Sequence, residues 1–245
     1  MQSVTVCRQM TDGGFPVTEF SGFPKELVSF LRDLAADNDK DWFVANRAIY
    51  DEAYMAPALV FIEALSPRLA KLSPPLQAVP KLNGSLRRIH RDVRFSKDKR
   101  PYNTRLHLVF WTGDHPNRAP AMHFVVAHDH LGFGSGQWGF GPDALKRYRE
   151  AVADQMKARA LQSAIDKACA GGVYELSEPV LARVPKGFDA DAPHAELLRH
   201  KGIVVKGGGD THPAVLFSPD IVDWTLEQIR LTMPLHRWLV ENVDG

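Results

Sequence analysis

The chain has 245 residues, 44% hydrophobic and 24% charged. These proportions fit a folded globular protein and exclude collagen-like rods and extended disorder. Lysine and arginine number 30 against 29 aspartates and glutamates, a net charge of +1. The total charge therefore implies neither a nucleic-acid nor a membrane partner, and no apolar run is long enough to cross a bilayer.

The charge is unevenly placed. Residues 81–118 carry net +7, whereas residues 1–80 and 119–245 carry net −3 each. A local positive field of this kind attracts anions even on a near-neutral protein. Two cysteines, Cys7 and Cys169, are too few for a disulfide framework. Cys169 reads as a small apolar residue packed in a helix. The opening residues lack the basic stretch and apolar run of a secretion signal, and a cytoplasmic protein is expected.

Residues 1–19 have no periodicity and read as a loosely ordered arm. The remainder, 20–245, shows no linker and reads as a single α+β domain. Pro24 opens a first helix, with Leu27, Phe30, Leu31 and Leu34 along one face. Asn38 or Asp39 caps a second, whose face is Trp42, Phe43, Asn46, Tyr50 and Tyr54. A third follows Pro57, and Pro67 is expected to kink or restart it. The period then changes to two. Residues 86–95 alternate, placing Ile89, Val93 and Phe95 opposite Arg88, His90, Asp92 and Arg94, the pattern of a half-buried strand. Residues 104–111, 121–130 and 131–140 are further strands. Their links are too short for helical crossovers, so a largely antiparallel sheet is expected. Helices resume at Pro142 and over 157–170, stopping at Gly171 and Gly172. Residues 173–193 read as irregular, 194–200 as one or two helical turns, and Gly207 to Gly209 as a turn. A helix from Asp220 to about Arg230 and a short one over 235–240 complete the chain. The helices from both ends should pack on the central sheet.

Chemistry is concentrated in RRIHRDVRFSKDKRPYNTR, residues 87–105. As a strand it would place Arg88, His90, Asp92 and Arg94 on one surface. The arginine forks match phosphate or carboxylate, Asp92 would orient them, and His90 titrates near neutrality. The loop from Phe95 to Tyr102 could close over that face. Arg88, Arg91, Arg94, Lys97, Lys99 and Tyr102 are the expected ligand-binding residues. His90 and Asp92 are the candidates for a catalytic role. An Arg–Asp lattice pinning the loop to the sheet accounts for the same residues.

The stretch RIHRDVRFSKDKRPYNT closely resembles the signature of a conserved family, the domain of unknown function numbered 2461. So do residues 20–50, 142–152 and 183–202, and the resemblance spans about Phe20 to Trp238. It implies a single α+β domain, mainly bacterial, with no established activity to carry over. Arg100 and Asn103 depart from the family pattern, which often has a small residue and a lysine there.

Residues 185–202 could bring Lys186, His194, Arg199, His200 and Lys201 to the same site; of these, Lys186 is the expected contributor. A packed loop with one solvated helical turn explains them equally simply. His128 and His130 form a His-x-His pair that could meet His107 or His123, but no supporting Cys or carboxylate spacing exists, and no metal is expected. Residues 134–139 match G-x-G-x-x-G without its strand–turn–helix context, so the glycines read as bulges or close backbone approaches.

The function these residues favour is binding of a small anionic, phosphate-like ligand by a basic strand and loop. A hydrolase or transferase acting on an anionic phosphoester is the alternative. A structural or interaction protein with the Arg/Asp motif as cement is the other. The sequence leaves open whether the chain is an enzyme. No cofactor is expected, nucleic acid and membrane are not expected partners, and no protein partner is indicated.

Overall fold

In the computed structural model, the residues described are 19–114, 116, 119–209 and 211–244. Apart from Glu19, the expected N-terminal arm lies outside them. The architecture is α+β: a five-stranded sheet with helices from both ends of the chain against it.

Helix α1 (Lys25–Ala36) buries Leu27, Phe30, Leu31 and Leu34, the predicted stripe. Asp39 accepts a hydrogen bond from the Trp42 N–H and caps α2 (Lys40–Ala45). A short α3 (Arg47–Ile49) leads into a π-helical turn, Tyr50–Met55. There Tyr50 and Tyr54 stack at 5.0 Å and both are buried. Helix α4 (Ala56–Leu69) runs on through Pro67 without restarting, and the proline gives up the bond back to Glu63 only two residues before the helix ends.

The sheet comprises β1 (Arg105–Trp111), β2 (Ala121–Ala127), β3 (Leu131–Gln137), β4 (Tyr174–Leu176) and β5 (Ile203–Gly208). Their order is β1-β2-β3-β5-β4, antiparallel throughout. Strands β4 and β5 lie where an irregular stretch and a glycine turn were expected. Gly207 and Gly208 continue the β5 ladder, pairing with Phe133 and Gly132.

Residues 86–95 are not a strand. Only isolated bridges form, Leu86 with Leu108 and His90 with Tyr102. The Arg87 N–H reaches the His107 carbonyl and the Val109 N–H reaches Ser85, so this segment covers the free edge of β1 for a few residues. It then folds back on itself. The Arg91 N–H bonds Pro101 and the Asn103 N–H bonds Ile89. At the loop end, Asp92 accepts from the Arg94 N–H and Ser96 N–H bonds the Val93 carbonyl, replacing the ladder with turns. Phe95, expected on the buried side, is 95% exposed.

Helices α5 (Pro142–Ala153) and α6 (Gln155–Cys169) follow β3. Asp154 separates them and caps α6 through the Met156 and Lys157 N–H groups. Cys169 is half-buried at the end of α6, packed against the core. A 3-10 turn at Ala195–Arg199 matches the expected short helix. The last helix is single: α7 (Ile221–Asn242) continues through Pro234, where two helices were expected.

One apolar core joins α1, the π-turn, α4, the first half of α7 and one face of β1–β3. Phe124 of β2 lies 5.0 Å from Phe61 and 5.9 Å from Phe23. Burying each such ring contributes about 1.5–3 kcal/mol. A second core joins α5, α6, β5 and the second half of α7.

Candidate functional site: the helix-free face of the sheet

Strand alternation sorts the side chains. Leu106, Leu108 and Phe110 of β1, with Met122, Phe124 and Val126 of β2, face the helices and are buried. The alternate residues, Arg105, His107, His123, Val125, Gly132, Gly134, Lys206 and Glu175, point the other way. At one end Val109, Trp111 and Ala121 are covered by Val79. The rest of this face is an open trough with two adjoining lobes that share His107, His123 and Trp138. One, of about 640 Å³, is lined by Arg105, His130, Gly132, Gly134, Glu175 and Lys206 among others. The other, of about 600 Å³, is lined by Asn83, Arg87, Arg88, Pro116 and Gln137 among others.

At the junction, His107 Nε2 and His123 Nδ1 are 3.0 Å apart. Burial first, then the charges of His123, Arg105 and Arg87, push His107 down to about 3. Burial, then Arg87 and Arg105, push His123 down to about 4. The pair is therefore neutral near pH 7, one ring donating and the other accepting. Arg87 is half-buried, donates from Nη2 to the Pro116 carbonyl at 3.2 Å, and is itself pushed down by burial. Lys206 lies 3.3 Å from Glu175, the one carboxylate among the described lining residues. Arg87, Arg88, Arg105 and Lys206 thus outnumber it, leaving a positive trough over a neutral imidazole floor.

Of the residues singled out from sequence, Arg88 lies on this trough. The others are arranged mainly within their own loop. Arg94 makes two bonds to Asp92, Nε to Oδ1 at 3.0 Å and Nη2 to Oδ2 at 2.7 Å. These bonds lower the Asp92 carboxyl below its usual value. Arg91 donates to Asp98 and to the Arg100 carbonyl, and Lys99 donates to the Val93 carbonyl. Arg100 also grips Asp98. Its bonds, followed by that from Arg91, hold the Asp98 carboxyl far below the ordinary range. Tyr102 is buried, stacked on Phe43 at 4.2 Å, with its backbone bonded at both ends by the Asn38 side chain. His90 sits edge-on to Tyr102 at 5.0 Å, while Asp92 engages Arg94. Lys97 and Lys186 are exposed and line neither lobe.

His130 bonds Asp129 at 2.7 Å rather than joining the imidazole pair. Among the described residues, no group of three or more His, Cys, Asp or Glu side chains is arranged to hold a metal ion. Sequence reasoning missed His107 and His123 as a pair. The available signal was their odd spacing from the apolar residues of their strands, which puts both on the face opposite the core.

No curated protein matches the chain. A family model described as conserved hypothetical protein (DUF2461) matches residues 26–238, most of the chain. That span takes in α1, the whole sheet, the basic loop and most of α7, and so the chain belongs to the DUF2461 family.

Proposed function

We propose that the protein binds a small anionic ligand in the trough on the helix-free face of the sheet. The observation that carries this reading is the convergence of Arg87, Arg88 and Arg105 around the His107–His123 pair. The one carboxylate among the described lining residues, Glu175, lies against Lys206, so an anion there supplies counter-charge to the three arginines. Guanidinium forks supply paired donors, and the imidazole pair supplies further hydrogen bonds. In this reading Arg88 links the sequence motif to the trough. Arg91, Arg94, Lys97, Lys99 and Tyr102 hold or border the loop that follows Arg88, and Lys186 has no part in the trough.

Isothermal titration of the full chain with inorganic phosphate and pyrophosphate tests the reading. Binding is expected, and Arg105→Ala should weaken it about ten-fold, as loss of a charged hydrogen bond does. Absence of binding at millimolar phosphate and pyrophosphate, at low salt, would refute it.

A further inference from the structure

The trough carries a second feature, one that an inorganic anion does not use. Gly132 and Gly134 of β3 present no side chain across its middle. Neither has a positive φ. A Cβ on Gly132 would meet nothing closer than 3.5 Å, and on Gly134 nothing closer than 3.2 Å. The backbone therefore does not require glycine at 132 and tolerates a small side chain at 134 with slight adjustment. Both are buried, Gly132 with the His130 ring 3.5 Å from where its Cβ would stand, so what the two glycines do is keep side chains of β3 from projecting into the trough. Beside them stands Trp138, which leaves the end of β3, lines both lobes and is 62% exposed. Val125 and Val204 also line the larger lobe.

Size narrows the occupant. The larger lobe, about 640 Å³, falls within the roughly 300–1,000 Å³ of sites that hold whole small molecules. A lone phosphate would leave it mostly empty. An exposed indole beside a stretch with no projecting side chain accepts a planar ring, because stacking needs a flat apolar face and tolerates any ring with one. The adjoining lobe, with Arg87 and Arg88, accepts the anionic end.

We infer that the ligand is a phosphorylated planar heterocycle, a mononucleotide being the simplest, with its ring stacked on Trp138 in the space that Gly132 and Gly134 leave free of side chains and its phosphate beside Arg87 and Arg88. This rests on the anion-binding reading of the same trough and adds the ring to it.

The test is calorimetric titration of the full chain with AMP, GMP, CMP, UMP, ribose 5-phosphate and inorganic phosphate. At least one nucleotide should bind about ten-fold more tightly than ribose 5-phosphate, the gain expected of one stacked ring. Trp138→Ala should lower nucleotide affinity about ten-fold more than phosphate affinity. Gly132→Val, which fills that space with a side chain the backbone admits, should do the same, and it decides the matter if the tryptophan variant is unstable. Nucleotides that bind no better than ribose 5-phosphate would overturn the ring assignment and leave the anion site standing. A nucleotide preference that survives Gly132→Val would overturn it equally. Failure of phosphate and of every nucleotide to bind would overturn both.

Discussion

Asp98 shows how a strongly basic segment can neutralise itself. Its carboxylate takes Arg91 from one arm of the loop and both the side chain and the N–H of Arg100 from the other. All these groups are at least partly exposed, so water screens the pairs and their effect on global stability is small. Their effect is local, on the shape of one loop. Asp98→Ala should therefore move the melting temperature by no more than about 2 °C while trypsin cuts after Lys97 or Lys99 several-fold faster. Unchanged cleavage would mean that other contacts hold the loop. The charges of this segment were readable from the sequence, but their partners were not. Alternation would have set Asp92 between Arg88 and Arg94, whereas a turn bonds it to Arg94 and leaves Arg88 acting only through its charge. Side-chain pairing depends on backbone direction, and here one turn changes it.

At the level of elements, β3 has two kinds of glycine. Gly136 has φ +136°, and a Cβ there would lie 2.0 Å from the Ile203 carbonyl oxygen of β5. No side chain fits, so Gly136→Ala should lower stability by about 2 kcal/mol or more in urea unfolding. Gly132→Ala, where a Cβ would make only ordinary van der Waals contacts on an ordinary backbone, should cost less than about 1 kcal/mol. Equal losses would contradict this division. The helices and the first three strands were legible because each is long enough to show its period. Strand β4 has three residues, too few for alternation to register. Strand β5 runs from three buried residues into Lys206 and two glycines, and the glycines read as a turn. The alternation of 86–95 was real, but it found only the short edge of β1 to pair with. In α7, two helices ending near Arg230 and starting at Leu235 were expected, yet packing against both cores keeps one helix continuous through Pro234. The trough itself was invisible in sequence because its residues come from strands whose mutual register no local pattern encodes.

Over the whole molecule, buried histidines should make the protein sensitive to mild acid. Burial pushes His236 down to about 4 and also lowers His200. His236 bonds Thr112 through Nε2 at 2.7 Å, and among the described residues its Nδ1 has no partner. With His107 and His123, four imidazoles resist protonation in the fold more than in the unfolded chain, where the value is near 6.5. Between about pH 6.5 and 4 the unfolded state binds protons that the native state refuses, so stability falls as pH falls. Each such histidine contributes up to about 1.4 kcal/mol per pH unit. Urea unfolding at pH 7, 6 and 5 should show a midpoint that drops steadily. Saturating phosphate should reduce the drop, through the two trough histidines alone. A midpoint constant from pH 7 to 5 would show that the imidazoles accept protons without unfolding.

Helix α7 closes both cores, Leu226 and Ile229 the first, Leu235 and Leu239 the second. On the ribosome, β2 emerges well before that helix, with Met122, Phe124 and Val126 ready and nothing yet to seal them. At about 5–20 residues per second, the nascent sheet waits for Ile221 to Met233 before the first core can shut and for Leu235 to Val243 before the second. Neither core can therefore be completed before the last helix is made, and until then the chain exposes apolar surface of the kind that chaperones hold.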